Sequence, residues 1–365
     1  MNKLNTLLMS LTCLCIQSSY ADDSYSTIYA QKRMARLDKD KNGSFEKAEG
    51  GKNWDRTKQL DLDKDNVITI DELNKAEIPY LETGGKRDLN VVYKKTPQGN
   101  LHLDIYHPKV SEGKAPVVFY THGGGWAAGS KHGAANGSFA EVFTALSEQG
   151  FCVVAINYRL YTKGGDIAMR DCVTDCKDAV RYIAKNNDSL NIDSQRCYSM
   201  GDSAGGQIAQ MLLLSSSESL PGDESLKNES YKMIAGVSWY GPCDFEDTTL
   251  FNHNDRPDFR DRFGPRIIKS TDKPKDKLKL YREMSPINYL TKDSQPMLMI
   301  QGDSDTTIPV KHAYYMEKKA KEISAPIETL IVKNAGHNWR SVEADIEPSR
   351  KVIIQRTIKF LVDHL

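Results

Sequence analysis

Four short runs, APVVFYTH (115–122), FCVVAINY (151–158), MIAGVSWYG (233–241) and PMLMIQG (296–302), are apolar at nearly every position. A strand with one wet face alternates polar and apolar residues. Strands this uniformly apolar must be covered on both faces, as in a parallel sheet wrapped by helices. Helical patterns fall between them, at 137–149, at roughly 167–187, and from Ser203 to about Leu214. IETLIVK (327–333) adds a strand and VIIQRTIKFLVDHL a closing helix, while LNVVYKK and LHLDIYH predict a hairpin turning at TPQGN. Residues 89–365 therefore read as an α/β unit with a mostly parallel central sheet. The polar stretch 244–290, rich in Asp, Arg, Lys and Pro, interrupts the rhythm and is expected to form an inserted cap or lid over the sheet's carboxyl end.

Ahead of this unit the texture differs. Residues 22–78 are charged and helical in pattern, and IPYLETGGKRD, with Pro79 and Gly84–Gly85, reads as a linker over 79–88. Within the charged region, Asp38, Asp40, Asn42, Ser44 and Glu49 occupy positions one, three, five, seven and twelve of a calcium loop, with Gly43 at position six. Asp61, Asp63, Asp65, Val67 and Glu72 repeat the spacing, with Asn66 at the sixth position. Calcium takes about seven oxygens, and such a loop wraps them around one ion. Phe45 and Ile68 are the apolar residues that pair the loops. The loops start too close together for two complete helix-loop-helix units, so one helix, roughly Lys47 to Gln59 and weakened by Gly50–Gly51, is expected to join them. These loops carry the one expected cofactor, structural Ca2+; none is expected for catalysis.

Gly201-Asp202-Ser203-Ala204-Gly205 follows one strand and opens one helix. That is the context a nucleophile elbow requires, a sharp turn that lifts a serine hydroxyl clear of the sheet. His122-Gly123-Gly124-Gly125-Trp126 follows another strand, where backbone amides can approach a carbonyl oxygen unobstructed. The amides of Gly124, Gly125 and Ala204 are the expected oxyanion donors. A serine needs a base, and the base an orienting acid. Asp303 and Asp305 lie just past one strand and His337 just past the next, in the order Ser, Asp, His. Position alone leaves the two aspartates undecided. Among the other histidines, His102 and His107 fall in the early hairpin, His364 in the closing helix, and His312 is expected on a helix surface.

With HGGGW, AINYRL (155–160), GDSAGG, SPINYL (285–290), QGDSDTTIP and NAGHNW, residues 89–365 resemble the esterase/lipase branch of the α/β-hydrolases, near the hormone-sensitive-lipase-like and bacterial feruloyl-esterase-like groups. The resemblance implies an α/β-hydrolase fold, makes Asp305 the acid, and implies a serine esterase acting through Ser203, His337 and an acyl-enzyme. Two departures, the missing Ala-Pro-Glu after Tyr-Arg-Leu and the Asn-Trp after the histidine, leave acyl and alcohol preference open. The two acidic loops resemble the EF-hand pairs attached to secreted bacterial enzymes, a small all-α module ahead of the hydrolase unit.

MNKLNTLLMSLTCLCIQSSYA carries one lysine, an apolar stretch from Leu7 to Ile16 and a small-residue exit at Ser19 and Ala21. This is the pattern of a signal peptide over residues 1–21, and the chain is expected to be secreted or periplasmic rather than anchored. Of the cysteines beyond it, Cys172 and Cys176 share a helix face but lack further ligands at metal spacing, so buried inert thiols are expected. With 49 basic and 49 acidic residues there is no excess charge for a nucleic-acid partner. The expected partner is a small-molecule or polysaccharide-linked ester, such as a carbohydrate acetyl or feruloyl ester. A prolyl-oligopeptidase-type peptidase shares the elbow and triad, but the chain lacks a propeller. A calcium-dependent binding module with a decayed hydrolase domain is the reading from another class.

Overall fold

The computed structural model describes residues 27, 29–31, 33–76, 78–252 and 261–365, so the expected signal peptide over 1–21 lies outside the described residues. The chain divides into two compact units between Ile78 and Pro79.

In the first unit, Phe45–Glu46 and Val67–Ile68 pair antiparallel, with Phe45 opposite Ile68. The helical segment between the loops is broken rather than continuous: Lys47–Gly50 and Lys52–Thr57 are separated at Gly51, which turns with φ 47°, and a 3-10 turn, Lys58–Leu60, follows. Phe45, Ile68, Trp54, Leu60, Leu73 and Met34 bury a small core of their own.

The second unit is built on an eight-stranded sheet. Its strands are β1 (Gly84–Thr96), β2 (Gly99–Pro108), β3 (Ala115–Thr121), β4 (Cys152–Ile156), β5 (Ile192–Asp202), β6 (Met233–Trp239), β7 (Met297–Gly302) and β8 (Ile327–Val332). Across the sheet the order is β8-β7-β6-β5-β3-β4-β2-β1. Only β1 with β2 and β2 with β4 run antiparallel. The alternation of side chains shows why these strands are apolar throughout. Val117 and Phe119 join one core while Val118 and Tyr120 join the other. The same division separates Val154 and Ile156 from Val153 and Ala155. Each such buried side chain contributes about 1.5–3 kcal/mol.

Helices α1 (Gly137–Glu148) and α6 (Arg350–Asp363) cover one face. Helices α2 (Met169–Lys185) and α3 (Ala204–Leu214) cover the other, with α5 (Lys311–Ile323) placing Met316 in the same core. Among the described residues, no helix is long and apolar enough to cross a membrane.

Two expectations change. The expected linker over 79–88 contains the start of β1, residues 84–88, because Gly84–Gly85 lies within the strand. A Cβ on Gly85 would sit 2.1 Å from the His107 carbonyl oxygen, so the glycine permits close strand pairing. His312 is fully buried rather than on a helix surface, its ring edge-on to Phe251 at 4.4 Å. The 244–290 segment, in its described part, is a set of short helical turns plus α4 (Lys277–Met284), held by buried Phe245, Phe251 and Phe263. The five cysteines in the described residues are buried and unpaired, and burial pushes the Cys172 and Cys176 thiols well up.

A buried ionic network ties the β1–β2 hairpin to α2. Asp175 accepts a two-pronged contact from Arg159, Nε at 2.8 Å and Nη2 at 2.9 Å. Lys94 bridges Asp175 and Asp178 at 2.7 and 2.6 Å, and Arg181 meets Asp178 at 2.9 Å.

Candidate active site

Ser203 occupies the turn between β5 and α3 with φ 52° and ψ −117°, a backbone state a side-chain-bearing residue adopts only under constraint. The constraint is local. The Ser203 amide donates to the carbonyl of Trp239 at the end of β6, 2.8 Å away. Gly205 passes so near β3 that a Cβ there would lie 1.9 Å from the Thr121 carbonyl oxygen, and one on Gly201 would lie 2.2 Å from that of Gly205. Both glycines of the motif are therefore steric requirements of the turn.

The turn brings three of the expected residues together. Nε2 of His337 lies 3.0 Å from Oγ of Ser203, and Nδ1 lies 2.7 Å from Oδ2 of Asp305. Asp305 is buried, and its carboxylate is fixed from several directions: the amides of Thr307 and Ile308 donate to Oδ1 at 2.7 and 2.9 Å, and Gln301 Nε2 donates to Oδ2 at 3.1 Å. Asp303, the competing carboxylate, is exposed and accepts from the Ser304 hydroxyl instead. The edge of the His337 ring meets Tyr240 at 4.8 Å.

The glycine loop comes next to this group through Asp202. Oδ1 of Asp202 accepts the Gly123 amide at 2.8 Å and the Tyr120 hydroxyl at 3.3 Å. The Gly123 donor is thus committed, and Gly124 and Gly125, both at positive φ (115° and 59°), carry the remaining glycine amides of the loop. Ala204 is the first residue of α3, where amides have no intrahelical acceptor. Burial pushes the Asp202 pKa up to about 6, against the pull of the Gly123 amide, the Tyr120 hydroxyl and the charge of His337. The loop is further held by Tyr158, whose hydroxyl donates to the His122 carbonyl at 2.6 Å and whose ring stacks on His122 at 4.2 Å. Trp126 donates from Nε1 to Gln207 at 3.1 Å.

Asp202, Gln301, Tyr158 and Gln207 were not singled out from the sequence. Each lies inside or beside a quoted motif, and that adjacency was the available signal.

In the first unit, six of the carboxylates expected to bind calcium fall into two clusters. Carboxylate oxygens of Asp38, Asp40 and Glu49 lie within 4.8 Å of one another, as do those of Asp61, Asp63 and Asp65. Asp38 accepts the amides of Lys41, Asn42 and Gly43, and Asn42 accepts that of Ser44, which curls the loop. Oε2 of Glu49 is buried with no hydrogen-bond partner, an orphan oxygen that a cation would satisfy. Glu72 differs: its oxygens accept the amides of Leu62 and Thr69 at 2.7 and 2.8 Å, and Thr69 closes a capping box with it. The Asp65 amide pulls the Asp63 pKa down, yet burial and the charges of Asp65, Glu72 and Asp61 hold it above its ordinary value. Carboxylates crowded in this way are the donor set a hard dication fits.

Comparison with known proteins places this architecture. The BD-FAE family model matches residues 103–320. The probable carboxylic ester hydrolase LipM of Mycobacterium tuberculosis is 26% identical over 242 residues, 65% of this chain and 52% of that protein. Esterase LipC of the same organism is 27% identical over 239 residues, 65% of this chain and 56% of that one. The chain thus spans about half the length of these curated relatives. A butyrate-bound esterase structure from Thermogutta terrifontis superposes with a TM-score of 0.61 at 22% identity, covering 75% of this chain and 92% of that one, which shows a shared fold. The mostly parallel sheet flanked by helices is that of an α/β-hydrolase. With a match that covers over half the sequence, the chain belongs to the BD-FAE family.

Proposed function

We propose that the second unit is a serine hydrolase of carboxylic esters. The observation that carries this reading is the pair of contacts made by one imidazole, Nε2 to the Ser203 hydroxyl at 3.0 Å and Nδ1 to the Asp305 carboxylate at 2.7 Å. His337 takes the hydroxyl proton as Ser203 attacks the ester carbonyl, and Asp305 holds the ring and stabilises the imidazolium. The amides of Gly124, Gly125 and Ala204 receive the developing oxyanion; each such donor is worth about 3 kcal/mol of barrier. His337 then gives its proton to the departing alcohol, and water repeats the sequence on the acyl-enzyme. The matches to LipM, LipC and the BD-FAE family support ester substrates, with carbohydrate acetyl and feruloyl esters as the finer candidates.

The test is labelling by a fluorophosphonate probe together with hydrolysis of p-nitrophenyl acetate. Both are expected in the wild type and absent in Ser203→Ala. A preference for prolyl peptide amides over esters would instead favour a peptidase.

The first unit is proposed to hold Ca2+ in both loops as a structural ion. Asp38, Asp40, Asn42, Ser44 and Glu49 would form one ligand set, and Asp61, Asp63, Asp65, Val67 and Glu72 the other, as the crowded carboxylates and the orphan Glu49 oxygen favour. Export through the segment 1–21 is part of the same proposal, since calcium is constantly available outside the cell. Its check is the amino terminus of the mature protein, expected just after Ala21.

A further inference from the structure

Arg266 sits in the short helix Gly264–Ile267, and its guanidinium rests against the glycine loop. A Cβ built on Gly125 would lie 2.2 Å from Nη1 of Arg266, so a side chain at 125 would collide with that group. The guanidinium packs over the Phe263 ring at 5.2 Å, and Phe263 in turn meets Trp126 edge-on at 5.3 Å. A cation is therefore held in place beside the turn proposed to receive the oxyanion.

Among the described residues, no acid neutralises it. Asp261, the closest described acid along the chain, is committed: Lys277 reaches one oxygen at 2.8 Å and the Tyr281 hydroxyl the other at 2.7 Å. Lys269 is paired with Asp171 at 2.8 Å. Among the described residues, Arg266 makes no ion pair and its side chain finds no hydrogen-bond acceptor. Burial lowers its pKa, with only Tyr161 pulling the other way. Five donors in a fixed fork, partly desolvated and with no protein acceptor among the described residues, are suited to grip a planar anion. Residues flanking Arg266 line a cavity of about 400 Å³, whose walls include Tyr161, Pro265, Lys269, Lys277 and the committed Asp261. The Tyr161 amide donates to the Trp126 carbonyl at 2.8 Å, so this cavity adjoins the same loop.

We propose that Arg266 is an anion-recognition element of the Ser203 site, selecting esters that carry a carboxylate on the part of the substrate lying over the Gly124–Gly125 turn. The inference rests on the serine-hydrolase reading and adds a substrate class to it. The carboxylate can belong to the acyl half or the alcohol half, and matched ester pairs separate the two.

For the acyl half the pair is the p-nitrophenyl monoester of adipate against p-nitrophenyl hexanoate; for the alcohol half it is 4-acetoxybenzoate against its methyl ester. In at least one pair the wild type is expected to favour the anionic member. Arg266→Met should lower the anionic-to-neutral ratio of kcat/KM by about tenfold or more, the worth of one charge-assisted contact, and Arg266→Lys should restore part of it. In the wild type the preference should shrink as salt rises. The proposal is overturned if Arg266→Met lowers both members of each pair alike, or leaves both ratios where they were. Should that variant fail to fold, a wild-type ratio indifferent to salt overturns it as well. A wild type that is labelled at Ser203 yet shows no anionic preference sinks this inference alone. One that is unlabelled and inert to all four esters sinks the underlying reading, and this with it.

Discussion

The carboxylate of Asp202 accepts the amide of Gly123 at 2.8 Å, so the residue just before Ser203 holds the loop expected to supply the oxyanion donors. It does so as a partly buried acid whose pKa is pushed up to about 6 by the desolvation of its carboxyl. A carboxyl that binds its proton more tightly in the folded state than in the unfolded chain lends stability that is complete below the unfolded value, near 4. That contribution is lost as pH rises through the folded value, near 6.

Asp202→Asn should therefore raise the melting temperature at pH 8 by the equivalent of about 1–3 kcal/mol, with the gain fading between pH 6 and pH 4. Thermal melts of both proteins across that range are the check. Ester hydrolysis by the variant should be weaker, since the negative charge near His337 is gone. An unchanged difference in melting temperature from pH 4 to pH 8 would falsify the role of this titration.

The two aspartates after β7 should behave differently. Asp305→Asn is expected to cut kcat/KM by roughly 10⁴-fold, because it deprives the His337 imidazole of the acceptor that fixes its tautomer. Asp303→Asn should stay within about threefold of the wild type, as Asp303 is exposed and turned to Ser304. Steady-state kinetics on one p-nitrophenyl ester decides the matter, and comparable losses in both variants would refute the assignment.

Asp175 is a stability residue. Its replacement by Asn leaves Arg159 and Lys94 short of charge in a buried setting, a loss of about 3–5 kcal/mol. Scanning calorimetry should show the second unit melting roughly 10 °C lower. A shift of only a degree or two would mean that water replaces the carboxylate.

Calcium should bind both loops of the first unit. Titration calorimetry is expected to show two sites, of which Asp38→Asn removes one and Asp61→Asn the other. Calcium at a hundredfold excess over its Kd should add about 3 kcal/mol to the stability of that unit, reversed by EDTA. No heat at millimolar calcium would defeat the proposal.

Much of this molecule could be read from its residues because the signals were local. β3 and β4 are apolar at each position because they are covered on both faces, and Ser203 stands in a motif whose glycines are fixed by contacts under 2.5 Å to a would-be Cβ. What escaped depended on distant partners. Gly84–Gly85 reads as part of a linker because nothing in the sequence announces that the β2 backbone passes so close. His312 looked like a surface residue because its cover, Phe251, comes from the polar segment whose aromatic anchors are thinly spaced. Arg266 gave no signal at all: its meaning comes from lying against Gly125, far away in the sequence.

Ser203 ends a strand with neighbours on both sides, β3 and β6, and its amide is bonded to the second of them. Helical turns of the 244–290 segment, by contrast, reach the glycine loop through side chains such as Phe263 and Arg266. On the proposed reading, the attacking group and the groups that would choose its substrate are thus carried by different parts of the fold, joined where Gln207 Nε2 donates to the Met284 carbonyl at 2.8 Å. Exchanging that segment for one of different sequence should retarget the chemistry while the attacking hydroxyl keeps its pose.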